Sequence, residues 1–111
     1  MTFAVQDTDG VSFVRLEGAI NSSNTNELGD TLRGIIDGGC DRIVLDLAEL
    51  FYICSLGIGI LARTRGELNE RAGRLVLMSP RADIHKLLTM LRLDRIIPIA
   101  GTRDEALSLC K

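Results

Sequence analysis

Among the residues able to do chemistry, Ser55 has the most informative surroundings. It lies in Phe51-Tyr52-Ile53-Cys54-Ser55-Leu56-Gly57, between a short, branched apolar run and a stretch of helical spacing. That places it after the carboxyl end of a strand and at the start of a helix, where ligands and partners meet open α/β sheets. A serine at a helix start can serve as a plain cap. It can also carry a phosphate, which would face unpaired backbone N–H groups and the positive end of the helix dipole. The fold tolerates either role, and only the second makes a switch.

Other reactive groups have weaker settings. Enzymes need convergent acids, bases or nucleophiles, and the one histidine, His85, falls inside a helical pattern between Ile84 and Lys86 with no nucleophile motif beside it. Leu56-Gly57-Ile58-Gly59-Ile60 lacks both the third glycine of a dinucleotide fingerprint and the Gly-Lys-Ser/Thr of a P-loop. Gly59 is better read as a small residue that lets the helix start pack closely on the sheet. Cys40, Cys54 and Cys110 are odd in number and show no metal-ligand spacing. They read as free thiols. Cys54, next to a helix start, is either a small buried filler or a redox sensor with thiolate favoured by the dipole. The filler reading predicts alkylation slower than that of Cys110. Neither a metal, a cofactor nor an enzymatic activity is expected.

The elements that must position Ser55 follow from the apolar period. Phe3 and Val5 precede the turn signal Asp7-Thr8-Asp9-Gly10, and Val11 to Leu16 continues as a strand up to Gly18, which predicts an opening hairpin. Leu28, Leu32, Ile35 and Ile36 have helical spacing behind a capping box, Asn24-x-x-Glu27, and Gly38-Gly39 closes that helix. Ile43-Val44-Leu45, followed by Asp46-Leu47, reads as the central strand, covered on both faces.

A second helix from about Ser55 carries Leu56, Ile58, Ile60, Leu61 and Leu68, with Arg63 to Arg71 facing water. Arg74 to Met78 is a further buried strand. Ser79-Pro80 suits an N-cap and first helical position ahead of Ile84, Leu87, Leu88 and Leu91. Ile96 to Ile99 reads as a strand that Pro98 confines to an edge, and Thr102-x-x-Glu105 caps a last helix through Leu109. Alternating strands and helices imply an α/β fold, a mixed, mostly parallel sheet of four to five strands with about four helices.

No linker or repeat divides the 111 residues, so 1–111 reads as one domain. A net charge of -2 has no basic stripe for nucleic acid. The N-terminus lacks the basic and apolar regions of a signal peptide, and no apolar run approaches the ~18 residues of a span. A cytoplasmic protein with no membrane insertion is expected.

Gly18-Ala19-Ile20-Asn21, Ile43-Val44-Leu45-Asp46-Leu47 and Tyr52-Ile53-Cys54-Ser55-Leu56-Gly57-Ile58-Gly59 resemble, in order and spacing, the successive motifs of STAS domains, notably the anti-sigma factor antagonists. The resemblance extends through Arg74 to Pro80 and Leu91-Arg92-Leu93-Asp94, and so covers nearly the whole chain. It implies the STAS fold and a module that binds an anti-sigma factor, often one that is also a serine kinase and holds the ATP. Phosphorylation by that kinase turns such a module off. The family's acceptor serine falls on Ser55, the glycine after it on Gly57, the strand-end aspartate on Asp46 and a loop aspartate on Asn21. The resemblance thus implies a partner surface of Asn21, Tyr52, Ile53, Cys54, Leu56 and Gly57, with Asp46 and Gly59 structural.

The chain departs from the family in two places. Cys54-Ser55-Leu56-Gly57 stands where Asp-Ser-Ser/Ala-Gly is usual, and Asn21 replaces an acid. Both changes remove negative charge from the expected docking edge, and Leu56 adds apolar surface. They leave open an alternative, a STAS subunit docked constitutively in a transport or signalling complex and never phosphorylated. A ligand- or nucleotide-binding STAS domain is a further alternative without dedicated pocket residues in the sequence.

Overall fold

The structure is a computed structural model and describes residues 2–110. Strand β1 (Thr2–Thr8) pairs antiparallel with β2 (Val11–Ile20) through Thr8↔Val11. Asp9 and Gly10 between them both have positive φ, 53° and 78°, the geometry of a two-residue hairpin turn whose twist matches the strands. The expected hairpin is present.

The chain continues through α1 (Thr25–Asp37), β3 (Arg42–Asp46), β4 (Leu50–Ile53), α2 (Ser55–Glu70), β5 (Arg74–Met78), α3 (Ala82–Met90), a 3-10 turn (Leu93–Arg95), β6 (Ile99–Ala100) and α4 (Arg103–Leu109). The sheet runs β1-β2-β3-β5-β6, with β4 attached to the far end of β2. All pairs except β1–β2 are parallel. This is the mixed, mostly parallel α/β sheet that the sequence predicts, and among the described residues it has six strands where four to five are expected, with the expected four α-helices.

Period-2 alternation sorts the strands into two faces. Ile43 and Leu45 of β3 and Leu75 and Leu77 of β5 join the larger core, with residues from α1, α2 and α3. Val44 and Val76 turn to the opposite face, against Ala106 of α4 and Cys110. Strand β3 is therefore covered on both sides, as a central strand must be, and Ile43, Val44 and Leu45 are fully buried.

Four local expectations change. Asn24 does precede α1, but its side chain makes no cap hydrogen bond; it turns back to donate to the Ala19 carbonyl (2.8 Å) and accept from the Asn21 N–H (2.9 Å). Ser79 and Pro80 do not open α3, which starts at Ala82 behind Arg81. Ser79 adopts φ 54° and donates its hydroxyl to the Gly101 carbonyl. Ile96 to Ile99 is mostly not strand, because the 3-10 turn ends in Ile96 and Ile97 N–H groups bonded to the Leu93 carbonyl, and pairing with β5 begins only at Ile99. Strand β4 is additional. At the last helix Thr102 caps as expected, accepting from the Glu105 N–H. Among the described residues no helix is long and apolar enough to cross a membrane.

Candidate functional site

The Asn21 and Ser55 loops leave neighbouring strand ends. Strand β4 lies parallel to β2 with Ala19↔Tyr52 and Ile20↔Ile53 in register, after an irregularity between Gly18 and Ala19. Gly18 has φ 99°, which a glycine adopts without strain, and its N–H reaches the Glu49 carbonyl at 3.0 Å. Beyond the strands, the Cys54 N–H donates to the Ile20 carbonyl at 2.9 Å. The residue before Ser55 is thus fixed to the residue before Asn21.

Asn21 organises its own loop. Its side-chain oxygen accepts the N–H and hydroxyl of Ser23, an Asx turn, while the side chain remains exposed. Asp46, half-buried at the end of β3, accepts the Ala48 N–H at 3.0 Å. It holds the turn that delivers the chain into β4.

Ser55 is the first residue of α2, so it is not the cap. Cys54 takes that position with extended backbone (φ -82°, ψ 170°) and no side-chain cap bond, and its own N–H is the one that donates to Ile20. The first helical bond runs from the Ile58 N–H to the Cys54 carbonyl at 3.0 Å. The N–H groups of Ser55, Leu56 and Gly57 therefore have no partner within the helix, and the first turn carries no acid. The Ser55 side chain is exposed.

The segments on either side of Ser55 leave large apolar side chains open to solvent. Phe51, Tyr52 and Leu56 are 55%, 51% and 60% exposed. Ile53 and Gly57 point inward, and a Cβ on Gly57 would lie 2.8 Å from Ile20 Cγ2 and 2.8 Å from Ile53 Cγ1. Gly57 is the close-packing glycine of this helix. Gly59, to which the sequence assigns that part, has nothing within 4 Å of a Cβ.

Of the expected surface, Asn21, Tyr52, Ser55 and Leu56 are exposed, Cys54 is half-buried against the core, and Ile53 and Gly57 lie beneath it as supports. Sequence reasoning missed two neighbours. Phe51 is a further exposed apolar side chain on β4, and a depression of ≈ 410 Å³ beside Ser55 runs between α2 and Thr25 and Asn26 of α1, ending at Arg63.

The remaining candidates are dispersed. His85 is exposed on α3. All three cysteines are free thiols, Cys110 buried and Cys40 and Cys54 intermediate. Burial pushes the Cys110 thiol above its ordinary value, partly offset by Arg42 and Arg74.

Known proteins carry the same plan. The sequence profile of the STAS domain matches residues 2–106. BtrV of Bordetella bronchiseptica, whose name assigns it provisionally to the anti-sigma factor antagonists, is 30% identical over 111 residues, covering 100% of this chain and 96% of that protein. An anti-sigma factor antagonist from Mycobacterium paratuberculosis superposes with a TM-score of 0.87 at 27% identity, over 96% of this chain and 91% of that one. SpoIIAA, a Bacillus cell fate determinant solved in a phosphorylated form, shares the fold with a TM-score of 0.76 at 22% identity, over 96% and 97%. Matched in profile over nearly its whole length and in sequence along all of BtrV's counterpart residues, the chain belongs to the STAS domain family.

Proposed function

We propose that this protein is an anti-sigma factor antagonist of the cytoplasm, a binding module that switches partners rather than an enzyme. In its unmodified state it binds an anti-sigma factor that is also a serine kinase, through Asn21, Tyr52, Leu56 and the hydroxyl of Ser55, with Ile53, Cys54 and Gly57 holding that surface in place. The kinase supplies the ATP, and transfer of its terminal phosphate to the Ser55 oxygen turns the module off. The observation that carries this reading is an exposed serine at the first position of α2, held rigidly beside the Asn21 loop by the Cys54 to Ile20 hydrogen bond. Exposed Leu56 beside it and exposed Tyr52 on β4 are side chains of the kind that form interface centres. The names of the relatives BtrV and the Mycobacterium antagonist support the partner class, and SpoIIAA is a protein of this fold that exists phosphorylated.

The physical logic of the switch is charge. A phosphate adds about -1.5 to -2 at neutral pH. Placed amid Tyr52 and Leu56, it imposes desolvation on any apolar partner surface. The positive end of the α2 dipole, where Ser55 stands, favours the added charge within the monomer, so the fold survives while the complex does not.

The test is calorimetric titration of the anti-sigma kinase from the same organism with the protein before and after incubation with that kinase and ATP, with mass spectrometry of Ser55. Binding only by the unmodified form is expected, and equal affinities would remove the switch. A second reading, a constitutively docked STAS subunit, is favoured by one observation: Leu56, 60% exposed, with no acid in the first turn of the helix. Tight binding that persists with Ser55 never modified would select it.

A further inference from the structure

Ser55, Gly59 and Arg63 stand at i, i+4 and i+8 of α2 and so share one ridge of that helix. All three line the depression against α1, with Thr25 and Asn26 on the opposite wall. A Cβ on Gly59 would meet nothing within 4 Å, so the ridge between the serine and the arginine is clear. Helical side chains lean toward the N-terminus of their helix, which aims Arg63 toward Ser55. Eight residues of helix rise about 12 Å, a span that an arginine and a phosphoserine cover between them when the midway residue has no side chain.

The groove also has unused polar capacity. Arg33 is held by Glu67 at 2.6 Å, whereas Arg63 forms no ion pair among the described residues. Thr25 is only 6% exposed, and its hydroxyl makes no hydrogen bond among the described residues. Since no buried side-chain oxygen or nitrogen lacks a partner, that hydroxyl must open to solvent, and the α1–α2 groove is the opening it lines.

From this arrangement we infer that the α1–α2 groove is the receiving site for a phosphate on Ser55, with Arg63 binding it and Thr25 offering a hydroxyl from the facing wall. The inference rests on the reading of Ser55 as the modified residue. Guanidinium matches a phosphate by two parallel N–H donors, so the modified side chain lies down along Gly59 instead of standing into water. The phosphate then fills the space beside Leu56 as well as charging it. Of the other charges in the groove, Asp30 opposes the phosphate and Arg33 remains with Glu67.

The test uses protein synthesised with phosphoserine at position 55, so that it does not depend on any kinase acting there. Failure of the kinase assay and failure of this site are thereby separate results. Phosphorus NMR follows the second phosphate ionisation, ordinarily near pH 6. In the folded protein the midpoint should lie lower than in the same protein in denaturant, because a nearby cation favours the dianion. Arg63→Gln should raise it by on the order of half a unit, about threefold in the proton association constant, the scale of a water-screened charge pair. Gly59→Leu, which blocks the ridge without touching either charged group, should raise it likewise, whereas Arg33→Gln should leave it in place. Circular dichroism identifies any variant that fails to fold. The same midpoint in the unsubstituted protein and in folded Arg63→Gln would overturn the site.

Discussion

Gly57 of α2 lies so close to Ile20 of β2 that a Cβ on the glycine would stand 2.8 Å from the isoleucine Cγ2. Both are buried, so the helix carrying Ser55 is wedged against the end of the strand carrying Asn21, and neither can shift alone. Gly57→Ala should therefore lose stability. Overpacking costs typically about 1–3 kcal/mol against a helix-propensity gain of up to ~1 kcal/mol, for a net loss of up to about 2 kcal/mol. Gly59→Ala, facing open space, should gain up to about 1 kcal/mol. Urea denaturation of the two variants should give changes of opposite sign, and a stabilised Gly57→Ala would show that the wedge is absent.

Leu45 tests the core of the sheet. It is 0% exposed on the strand between β2 and β5, so Leu45→Ala removes buried surface and leaves a cavity, at a cost of about 2–5 kcal/mol. An equilibrium melt showing a change below about 1 kcal/mol would place Leu45 outside the core.

The cysteines should react in the order opposite to that expected from the sequence. Cys110, near the chain end, is 1% exposed, and desolvation raises its pKa, so less of it is thiolate at neutral pH. Cys54 is half-buried. Native alkylation followed by mass spectrometry should label Cys54 before Cys110; the reverse order would mean that the C-terminal end of α4 opens in solution.

At the proposed interface, Ser55→Ala should bind the partner at near wild-type affinity yet resist inactivation by ATP. Ser55→Glu should weaken binding by at least about tenfold, or ~1.4 kcal/mol, with unchanged circular dichroism. An unimpaired Ser55→Glu together with an unimpaired phosphoprotein would exclude charge as the switch.

Leu56→Ser tests the apolar anchor that the two readings share. An apolar anchor 60% exposed in the free protein should cost at least about tenfold in affinity when truncated to a polar side chain, under either reading. If phosphorylation of Ser55 is absent, Cys54→Asp with Leu56→Ala restores the family's pattern. Recovered phosphorylation in that double variant locates the defect in this loop, and continued absence selects the constitutive subunit.

Much of this architecture was legible in the apolar period because partition between water and core is local to each residue. The spacing of Leu28, Leu32 and Ile36, the unbroken Ile43-Val44-Leu45 and the Asp9-Gly10 turn each have one stable solution. The readings that changed were those of polar groups with more than one available partner. Asn24 matches a capping box, yet the Ala19 carbonyl and Asn21 N–H compete successfully for its amide. Ser79 matches an N-cap, yet Gly101, brought near by β5–β6 pairing, takes its hydroxyl. Strand β4 escaped detection because its central Phe51 and Tyr52 are both exposed and only its ends are buried.

By itself, then, the sequence determined that a serine would stand at a helix start after a strand in an α/β sheet, since that depends on side-chain character within a few residues. The tertiary structure alone decided which residue is the first of α2, which glycine is the wedge, and what faces the serine. Each of these depends on β2 and β4 pairing end to end across about thirty intervening positions, which brings the Ile20 carbonyl to the Cys54 N–H and sets α1 beside α2. No local pattern encodes such a meeting, because its hydrogen bonds form only once the whole sheet has closed the loop between them.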